Sequence, residues 1–292
     1  MKKTSKIVAV VVSALLVVAA LFVLASCGGY SGELTGEVKY ENTWSKGSYY
    51  GAKVDVTVKN DIITAVKLYT DEETGWTRTS GSWKEGQNPG DLGFQKTEDA
   101  YEGWIEEALI GANVYDVLGW SASATEKGQT VGAGVPHIAG ATQSSARIIC
   151  AVQNALEKIE GLEKVVGEAK YENKWAPGSY YGAKVNVYVK SGSVVAVKLL
   201  QEDETGWTRT SGSWTEGQNA GDLGYAKAEA AYADYIKSNI VGQKVDTILG
   251  WTVTCTQEAQ TVGEGVPCIA GATQSSARIV AAVKDALGKL AK

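Results

Sequence analysis

The chain has 292 residues, of which 44% are hydrophobic and 21% are charged, a balance typical of a folded globular protein. Its 33 acidic residues outnumber its 28 basic ones. A negative surface repels phosphate backbones, which argues against nucleic acid as a partner.

The chain begins with the pattern of an export signal. Three lysines within the first six residues precede the stretch 7–24, which is apolar except for Ser13. A basic head, an apolar core and small residues before a cleavage point are typical of a secretory signal. An uncleaved membrane anchor stays open as an alternative, because 18 residues is near the lower length limit for a transmembrane helix.

The end of this segment, Leu24-Ala-Ser-Cys27, resembles the lipobox of bacterial lipoproteins. That resemblance implies that residues 1–27 include the signal peptide and that Cys27 is the lipidated residue. The chain would then be lipid-anchored at the cell membrane, facing the extracytoplasmic side. The glycine-rich stretch 28–35 is expected to be a flexible tether.

Two long units of the chain repeat without a gap at a spacing of 131 residues. The most closely matching part is an eleven-residue run, 138–148, which recurs unchanged as 269–279. A period of this length is too long for a solenoid repeat. We therefore expect two tandem homologous domains, at 36–160 and 167–292.

The first predicted elements of each unit are two strands. Gly51–Lys59 alternates apolar and polar residues, Asn60-Asp61 is a turn signal, and Ile62–Leu68 is the second strand. In the second unit the corresponding strands are 183–190 and 194–200, joined by a turn at 191–192. Each pair predicts an antiparallel hairpin.

Two helices complete each unit. The stretch 97–110 carries an apolar stripe, and a last helix at 144–159 follows a Gly-Ala-Thr loop. The predicted fold class is therefore α+β, with an antiparallel strand hairpin, helices and a Gly-Ala-Thr loop before the last helix in each domain.

The Gly-Ala-Thr loop is the strongest candidate for a binding site. Small residues let the backbone turn tightly and pass close to a ligand, and the free N–H groups of a helix N-terminus favour a phosphate. Arg147, farther along the helix, could assist or could face solvent. An ordinary helix cap by Thr or Ser is the alternative. The candidate residues are Gly140, Ala141, Thr142, Ser144 and Ser145, with Gly271, Ala272, Thr273, Ser275 and Ser276 in the second unit.

A second shared block is rich in tryptophan. It spans Glu73–Trp83 and recurs as Glu204–Trp214. Its tryptophans could stack on a planar ring, and Arg78 or Arg209 could pair with a phosphate. They could equally anchor the core or the contact between the domains.

Other chemistry finds little support in the sequence. The single histidine, His137, is replaced by Cys268 in the second unit, so the units share no histidine for a catalytic triad or a metal site. A disulfide between Cys255 and Cys268 is conceivable in an exported protein. We expect no metal and no catalytic residue.

These motifs together resemble the FMN-binding domain family, which includes the covalent-flavin subunits of the Rnf and sodium-pumping NADH:quinone complexes. The resemblance is carried by Gly140-Ala-Thr142, by Gly47-Ser-Tyr-Tyr-Gly51 and by Glu73-Thr-Gly75, with their counterparts in the second unit. It covers most of each unit.

The resemblance implies one FMN per domain, bound through Thr142 and Thr273, with Glu73, Thr74, Glu204 and Thr205 also at the cofactor. In the family, a flavin transferase joins FMN to the loop threonine through a phosphodiester. A membrane-bound electron donor would be a partner, and the protein would be an electron carrier rather than a stand-alone catalyst.

The chain departs from the family pattern at two positions of each loop. Pro136 and Pro267 stand where the family has Asp, and Ala139 and Ala270 stand where it has Ser or Thr. Covalent binding, noncovalent binding and loss of the flavin therefore all stay open. The alternative function is a non-redox, ligand-binding surface lipoprotein that uses its tryptophan-rich loops, and a third is a flavin-dependent reductase domain.

Overall fold

The computed structural model describes residues 29–43, 46–78, 100–174, 176–207 and 225–290. The expected signal peptide and Cys27 lie outside the described residues. So do Trp83, Trp214 and Arg209 of the tryptophan-rich blocks. Among the described helices, none has both the length and the apolar character needed to cross a bilayer.

The first unit combines a sheet, a small hairpin and helices. Its elements are β1 (Gly32–Glu41), β2 (Tyr49–Lys59), β3 (Ile62–Leu68), α1 (Asp71–Thr74), β4 (Thr77–Arg78), α2 (helical from residue 100, with a π-helix at Ile105–Leu109), α3 (Val114–Gly119), β5 (Ala122–Ala124), β6 (Gln129–Val131) and α4 (Thr142–Leu156).

The second unit repeats this order except for β4, whose counterpart at 208–209 lies outside the described residues. Its elements are β7 (Leu162–Glu172), β8 (Tyr180–Lys190), β9 (Ser193–Leu199), α5 (Glu202–Thr205), α6 (Tyr225–Asn239), α7 (Val245–Leu249), β10 (Val253–Cys255), β11 (Gln260–Val262) and α8 (Thr273–Leu290). The fold is therefore mixed α+β with antiparallel hairpins, as the sequence predicts.

The predicted hairpins are confirmed, and each gains a strand. β2 pairs antiparallel with β3, and the turn residues Asn60 and Asp61 have φ of 52° and 61°. Positive φ at both turn positions is the geometry that matches the twist of a two-residue hairpin. β1 adds antiparallel to the other edge of β2, so residues 32–35, expected in the tether, begin a strand.

Each core lies between the sheet and the last helix. One face of β2 and β3 buries Val54, Val56 and Ile63, and α4 covers that face with a buried stripe that includes Ile149 and Val152. The second core has the same organisation between β8, β9 and α8. The apolar stripe predicted for α2 is confirmed, because its large apolar side chains are buried.

The two units are docked through different faces. The outer face of the second sheet packs on α3 and α4 of the first unit, so that Tyr188 and Ala196 belong to the first core. The corresponding residues of the first sheet, Thr57 and Ala65, are exposed. The same sheet face is thus an interface in one unit and free surface in the other.

Candidate functional site

The Gly-Ala-Thr loop leads directly into α4. Gly140 has φ of 81° and its counterpart Gly271 has φ of 79°. This left-handed conformation is strained for residues with a side chain, which explains why glycine stands at both positions. The loop therefore turns sharply and places Thr142 at the first residue of the helix.

The helix start has no side-chain cap. The cap residue of α4 is Ala141, which has φ of −127° and ψ of 39° and offers no side-chain oxygen. The hypothesis that Thr142 or a loop serine is an ordinary cap is therefore wrong for the first unit. The backbone N–H groups at such an end are available to an anion.

The two loop threonines carry hydroxyl groups that the fold does not use. Thr142 is half-buried and Thr273 is exposed. Neither hydroxyl has a hydrogen-bond partner in the part of the chain that the structure describes. Both are therefore available to a bound group.

Ser145 and Ser276 are buried, and their hydroxyl groups form hydrogen bonds with the loop backbone. The Ser145 hydroxyl accepts a hydrogen bond from the N–H of Ile138 at 3.0 Å and donates to the carbonyl of Ala141 at 3.1 Å. Ser276 makes the same two bonds in the second unit. These contacts close the loop, so both serines shape the site rather than present a free hydroxyl.

The preceding serine of each pair is also buried. Ser144 is 2% exposed and Ser275 is 6% exposed. The Ser275 hydroxyl accepts a hydrogen bond from the hydroxyl of Tyr232 at 2.8 Å. This contact ties the start of α8 to α6.

The helix that follows each loop contains a buried arginine. Arg147 and Arg278 are both 3% exposed, which excludes the solvent-facing alternative. Arg147 is five residues along α4 from Thr142, or about 7.5 Å along the helix axis. Its Nε donates to the hydroxyl of Tyr40 at 2.7 Å, and its guanidinium carbon lies 5.0 Å from the centre of the Tyr50 ring.

The same arrangement recurs in the second unit. Arg278 Nε donates to the Tyr171 hydroxyl at 2.8 Å and lies over the Tyr181 ring at 5.4 Å. Burial raises the pKa of Tyr40 and of Tyr171 above the usual range, although the neighbouring arginine opposes this shift. Both phenols are therefore neutral partners that leave the arginine charge uncompensated.

One donor of each arginine lacks a partner. Nη1 of Arg147 and Nη1 of Arg278 are buried without any hydrogen bond. A buried donor without a partner costs about 1–3 kcal/mol, and more on a charged group. A guanidinium with a free donor near a helix N-terminus has the chemistry to hold a phosphate. The residues present thus fit a phosphate-bearing cofactor.

The acidic and threonine residues of the tryptophan-rich block hold a turn. Glu73 accepts from the N–H of Thr70 at 2.9 Å, and Thr74 donates to the carbonyl of Trp76 at 3.0 Å. In the second unit Glu204 accepts from Gln201 N–H at 2.9 Å, and Thr205 donates to Trp207 at 2.8 Å. The backbone hydrogen bond from Thr70 lowers the pKa of Glu73.

This turn packs Trp76 against the sheet. A Cβ placed on Gly51 would come within 2.7 Å of the Trp76 ring, and one on Gly182 would come within 2.9 Å of Trp207. Successive strand residues point to opposite faces. Gly51 and Trp76 therefore lie on the outer face, whereas Tyr50 and Arg147 lie on the face that α4 covers.

The described contacts favour the anchoring role for these two tryptophans, because the sheet separates them from the arginine. The sequence did not identify Tyr40, Tyr50 and their counterparts as part of the site. Their recurrence at matching positions of both units was the signal that could have found them.

The described residues contain neither a candidate metal site nor a disulfide. No group of His, Cys, Asp and Glu there could hold a metal ion. The described cysteines, Cys150, Cys255 and Cys268, are all free.

Comparison with known proteins gives one family match. The model of the FMN-binding domain family matches residues 49–157, a stretch that contains Tyr50, the Gly-Ala-Thr loop and Arg147. No curated protein and no solved structure matched the chain. Residues 49–157 therefore form a domain of the FMN-binding family, and FMN is its cofactor.

Proposed function

We propose that this protein is a membrane-anchored flavoprotein that carries electrons on the extracytoplasmic side of the membrane. A lipid on Cys27 is its anchor, and a membrane-bound electron donor is its partner. FMN is attached through the threonine of each Gly-Ala-Thr loop. It is a carrier rather than a stand-alone catalyst.

The observation that carries this proposal is the combination of unused groups at one helix end. The Thr142 hydroxyl has no partner among the described residues, and Arg147 Nη1 is buried without one. The start of this helix, at Thr142, has no side-chain cap. A phosphate at this end would accept hydrogen bonds from the free donor of Arg147 and from the helix N–H groups, and an ester bond would join it to the Thr142 oxygen.

The second unit supports a second FMN. Thr273 and Arg278 repeat the unused hydroxyl and the unused Nη1, and Gly271 repeats the left-handed turn. The family match covers only the first unit. Occupancy of the second unit by FMN is therefore part of the proposal and rests on this repeated geometry.

The residues of the chain bind and orient the cofactor. FMN, when bound, supplies one- and two-electron transfer. The α4 N-terminus and Arg147 would hold its phosphate, and Ser145 holds the loop closed. The Thr142 oxygen would lose its proton and bond to phosphorus, while the activated flavin substrate of the transferase would lose the leaving group on that phosphorus. A covalently held cofactor does not diffuse away outside the cell, and the lipid keeps it near its donor.

Intact mass under denaturing conditions tests the attachment. The chain from residue 28 onward is produced together with a flavin transferase, and we expect a mass gain of two FMN phosphoryl units. Thr142→Ala and Thr273→Ala should each remove one unit. Gln143→Ala and Gln274→Ala, which change the exposed neighbours, should leave both.

Two results would contradict parts of the proposal. Flavin that binds but is released on denaturation would exclude the covalent bond and retain the FMN carrier. A second unit without flavin in either form would limit the cofactor to the matched domain. Loss of fatty-acid labelling in Cys27→Ser, with flavin content unchanged, is the expected outcome for the lipid on this residue.

A further inference from the structure

A cavity of about 430 Å³ lies between the two units, away from the Gly-Ala-Thr loops. The first unit contributes α3, the two residues before β5 and the loop after β6, and the second contributes β9 and α6. The volume falls in the range of small-molecule sites, which are about 300–1,000 Å³. The docking of the two units therefore creates a space that neither unit encloses alone.

The cavity has an apolar floor and an aromatic wall. Val197, Leu199 and Ile236 are buried residues of the second unit that line it. Trp120 and Tyr115 of the first unit are half-buried and line it as well. Aromatic faces in such a wall attract cations, especially quaternary ones.

The side chains that line the cavity carry a net negative charge. Three carboxylates and one ammonium line it. Asp116 is paired with Lys237 at 2.9 Å, and Glu229 accepts a hydrogen bond from the N–H of Ala133 at 3.1 Å. Asp234 is exposed and makes no ion pair or hydrogen bond within the described part of the chain. One carboxylate at the cavity therefore has no partner of opposite charge.

Two of the three carboxylates, Asp116 and Asp234, are specific to the junction and are not inherited from the repeat. The counterpart of Asp234 in the first unit is Gly103, and the counterpart of Asp116 in the second unit is Thr247. Asp116 and Asp234 thus occur only where the units meet, whereas Glu229 has an acidic counterpart, Glu98.

We propose that this cavity between the units is a binding site for an organic cation with an apolar body. Val197, Leu199 and Ile236 contact the apolar body, Trp120 faces the positive charge, and Asp234 supplies the opposite charge. The site is separate from the FMN site and does not depend on flavin occupancy.

Tetraphenylphosphonium is a suitable probe because tetraphenylborate has nearly the same shape and the opposite charge. Isothermal titration of the chain from residue 29 onward, which contains every described element, is expected to show one tetraphenylphosphonium per chain. Tetraphenylborate should bind at least about tenfold more weakly, which corresponds to about 1.4 kcal/mol. Loading with FMN should leave both results unchanged.

Two variants test whether the probe binds in the cavity. Ala233 is exposed on α6 and lines the cavity, so Ala233→Trp should fill its mouth and abolish binding without disturbing a core. Ser238→Trp, at an exposed position of the same helix that does not line the cavity, should bind like the unchanged chain. Circular dichroism is the control that shows whether both variants are folded.

A charge variant tests the role of Asp234. Asp234→Asn should weaken tetraphenylphosphonium binding about three- to tenfold, whereas Asp246→Asn, an exposed acid outside the cavity, should leave it unchanged. Equal affinity for the two probe ions would overturn the proposal. Unchanged binding by folded Ala233→Trp, or displacement of the probe by FMN, would overturn it as well.

Discussion

The ammonium of Lys198 donates a hydrogen bond to Oε1 of Gln153 at 3.1 Å, and both side chains are almost completely buried where the two units meet. The amide of Gln153 also donates to the carbonyls of Val117 and Trp120 at 2.9 and 2.8 Å. Gln153 of the first unit thus accepts the hydrogen bond of a buried lysine from the second unit. It also links α3 and α4 within the first unit.

Replacing Gln153 by Ala should destabilise the protein by about 2–4 kcal/mol, because it leaves the buried Lys198 ammonium and the Trp120 carbonyl without partners. Urea unfolding monitored by circular dichroism measures this. The matched control is Lys284→Ala at the corresponding position of the second unit, which no further unit covers. Its expected cost is less than about 1 kcal/mol. Equal costs would show that the interface does not depend on Gln153.

Replacing Arg147 by Met should have different effects on the free energy of unfolding and on FMN affinity. Without FMN, the loss of a buried charge with an unused donor should leave the free energy of unfolding unchanged or raise it. With FMN, the loss of a charged hydrogen bond to phosphate should weaken noncovalent affinity by about 10- to 100-fold, or about 1.5–3 kcal/mol. Urea unfolding and FMN equilibrium dialysis report the two effects.

Arg278→Met is the matched variant for the second unit. Each variant should remove high-affinity binding from one unit only, so that stoichiometry falls from two to one. FMN affinity that is unchanged in Arg147→Met would assign this arginine a purely structural role.

The interface should be sensitive to alkaline pH. The Tyr188 hydroxyl donates to Glu157 at 2.7 Å, and burial raises the pKa of Tyr188 far above its ordinary value of 10.0. Because the folded state keeps this proton while the unfolded state loses it, the stability is fully present below pH 10 and decreases as the pH rises above it.

Tyr188→Phe should therefore lower the stability at pH 8 by about 1 kcal/mol through the lost hydrogen bond, and should make the decline above pH 10 less steep. Urea midpoints at a series of pH values between 8 and 11 measure both effects. An unchanged slope would show that other groups cause the alkaline loss.

The cysteines should differ in reactivity. Burial raises the pKa of the Cys150 thiol to about 11, and it also raises the pKa of Cys255. Cys268 is exposed. Since the thiolate is the reactive form, iodoacetamide at pH 8 should label Cys268 first and Cys150 last. Peptide mass spectrometry over time measures this order, and rapid labelling of Cys150 in folded protein would contradict it.

The raised pKa of the Cys150 thiol also makes the stability of the folded protein depend on pH. Its folded-state pKa is above the ordinary value of 9.0, so its contribution is present below pH 9 and is lost as the pH rises toward 11. Cys150→Ala, which introduces the residue found at the matching position 281, should reduce the pH dependence in that range.

Local structure was largely predictable from the sequence. The alternation in 51–59 and 62–68 and the turn between them predicted the hairpin that the structure contains. The apolar stripes of α2 and α4 predicted their buried sides, with the start of α4 two residues earlier than expected. β1 was missed, because a glycine-rich segment precedes it and its first residues were assigned to the tether.

The functional residues were predictable only in part. The repeated Gly-Ala-Thr run identified the loop, but the sequence could not assign a role to each hydroxyl around it. The structure shows that Ser145 and Ser276 are used to close the loop, and that Glu73 and Thr74 hold a turn. Whether a polar side chain faces a ligand or the backbone depends on its neighbours in space, which spacing along the chain does not contain.

The sequence by itself determined the duplication, the α+β elements and the loop at which each last helix begins, because these depend on periodicity and on residues that are close along the chain. The tertiary structure decided which arginine donors remain unused and which sheet face becomes an interface. Residues such as Gln153 and Lys198 are 45 positions apart and meet only when the units dock. Burial then decides the energy of each polar group, and burial is a property of the folded chain alone.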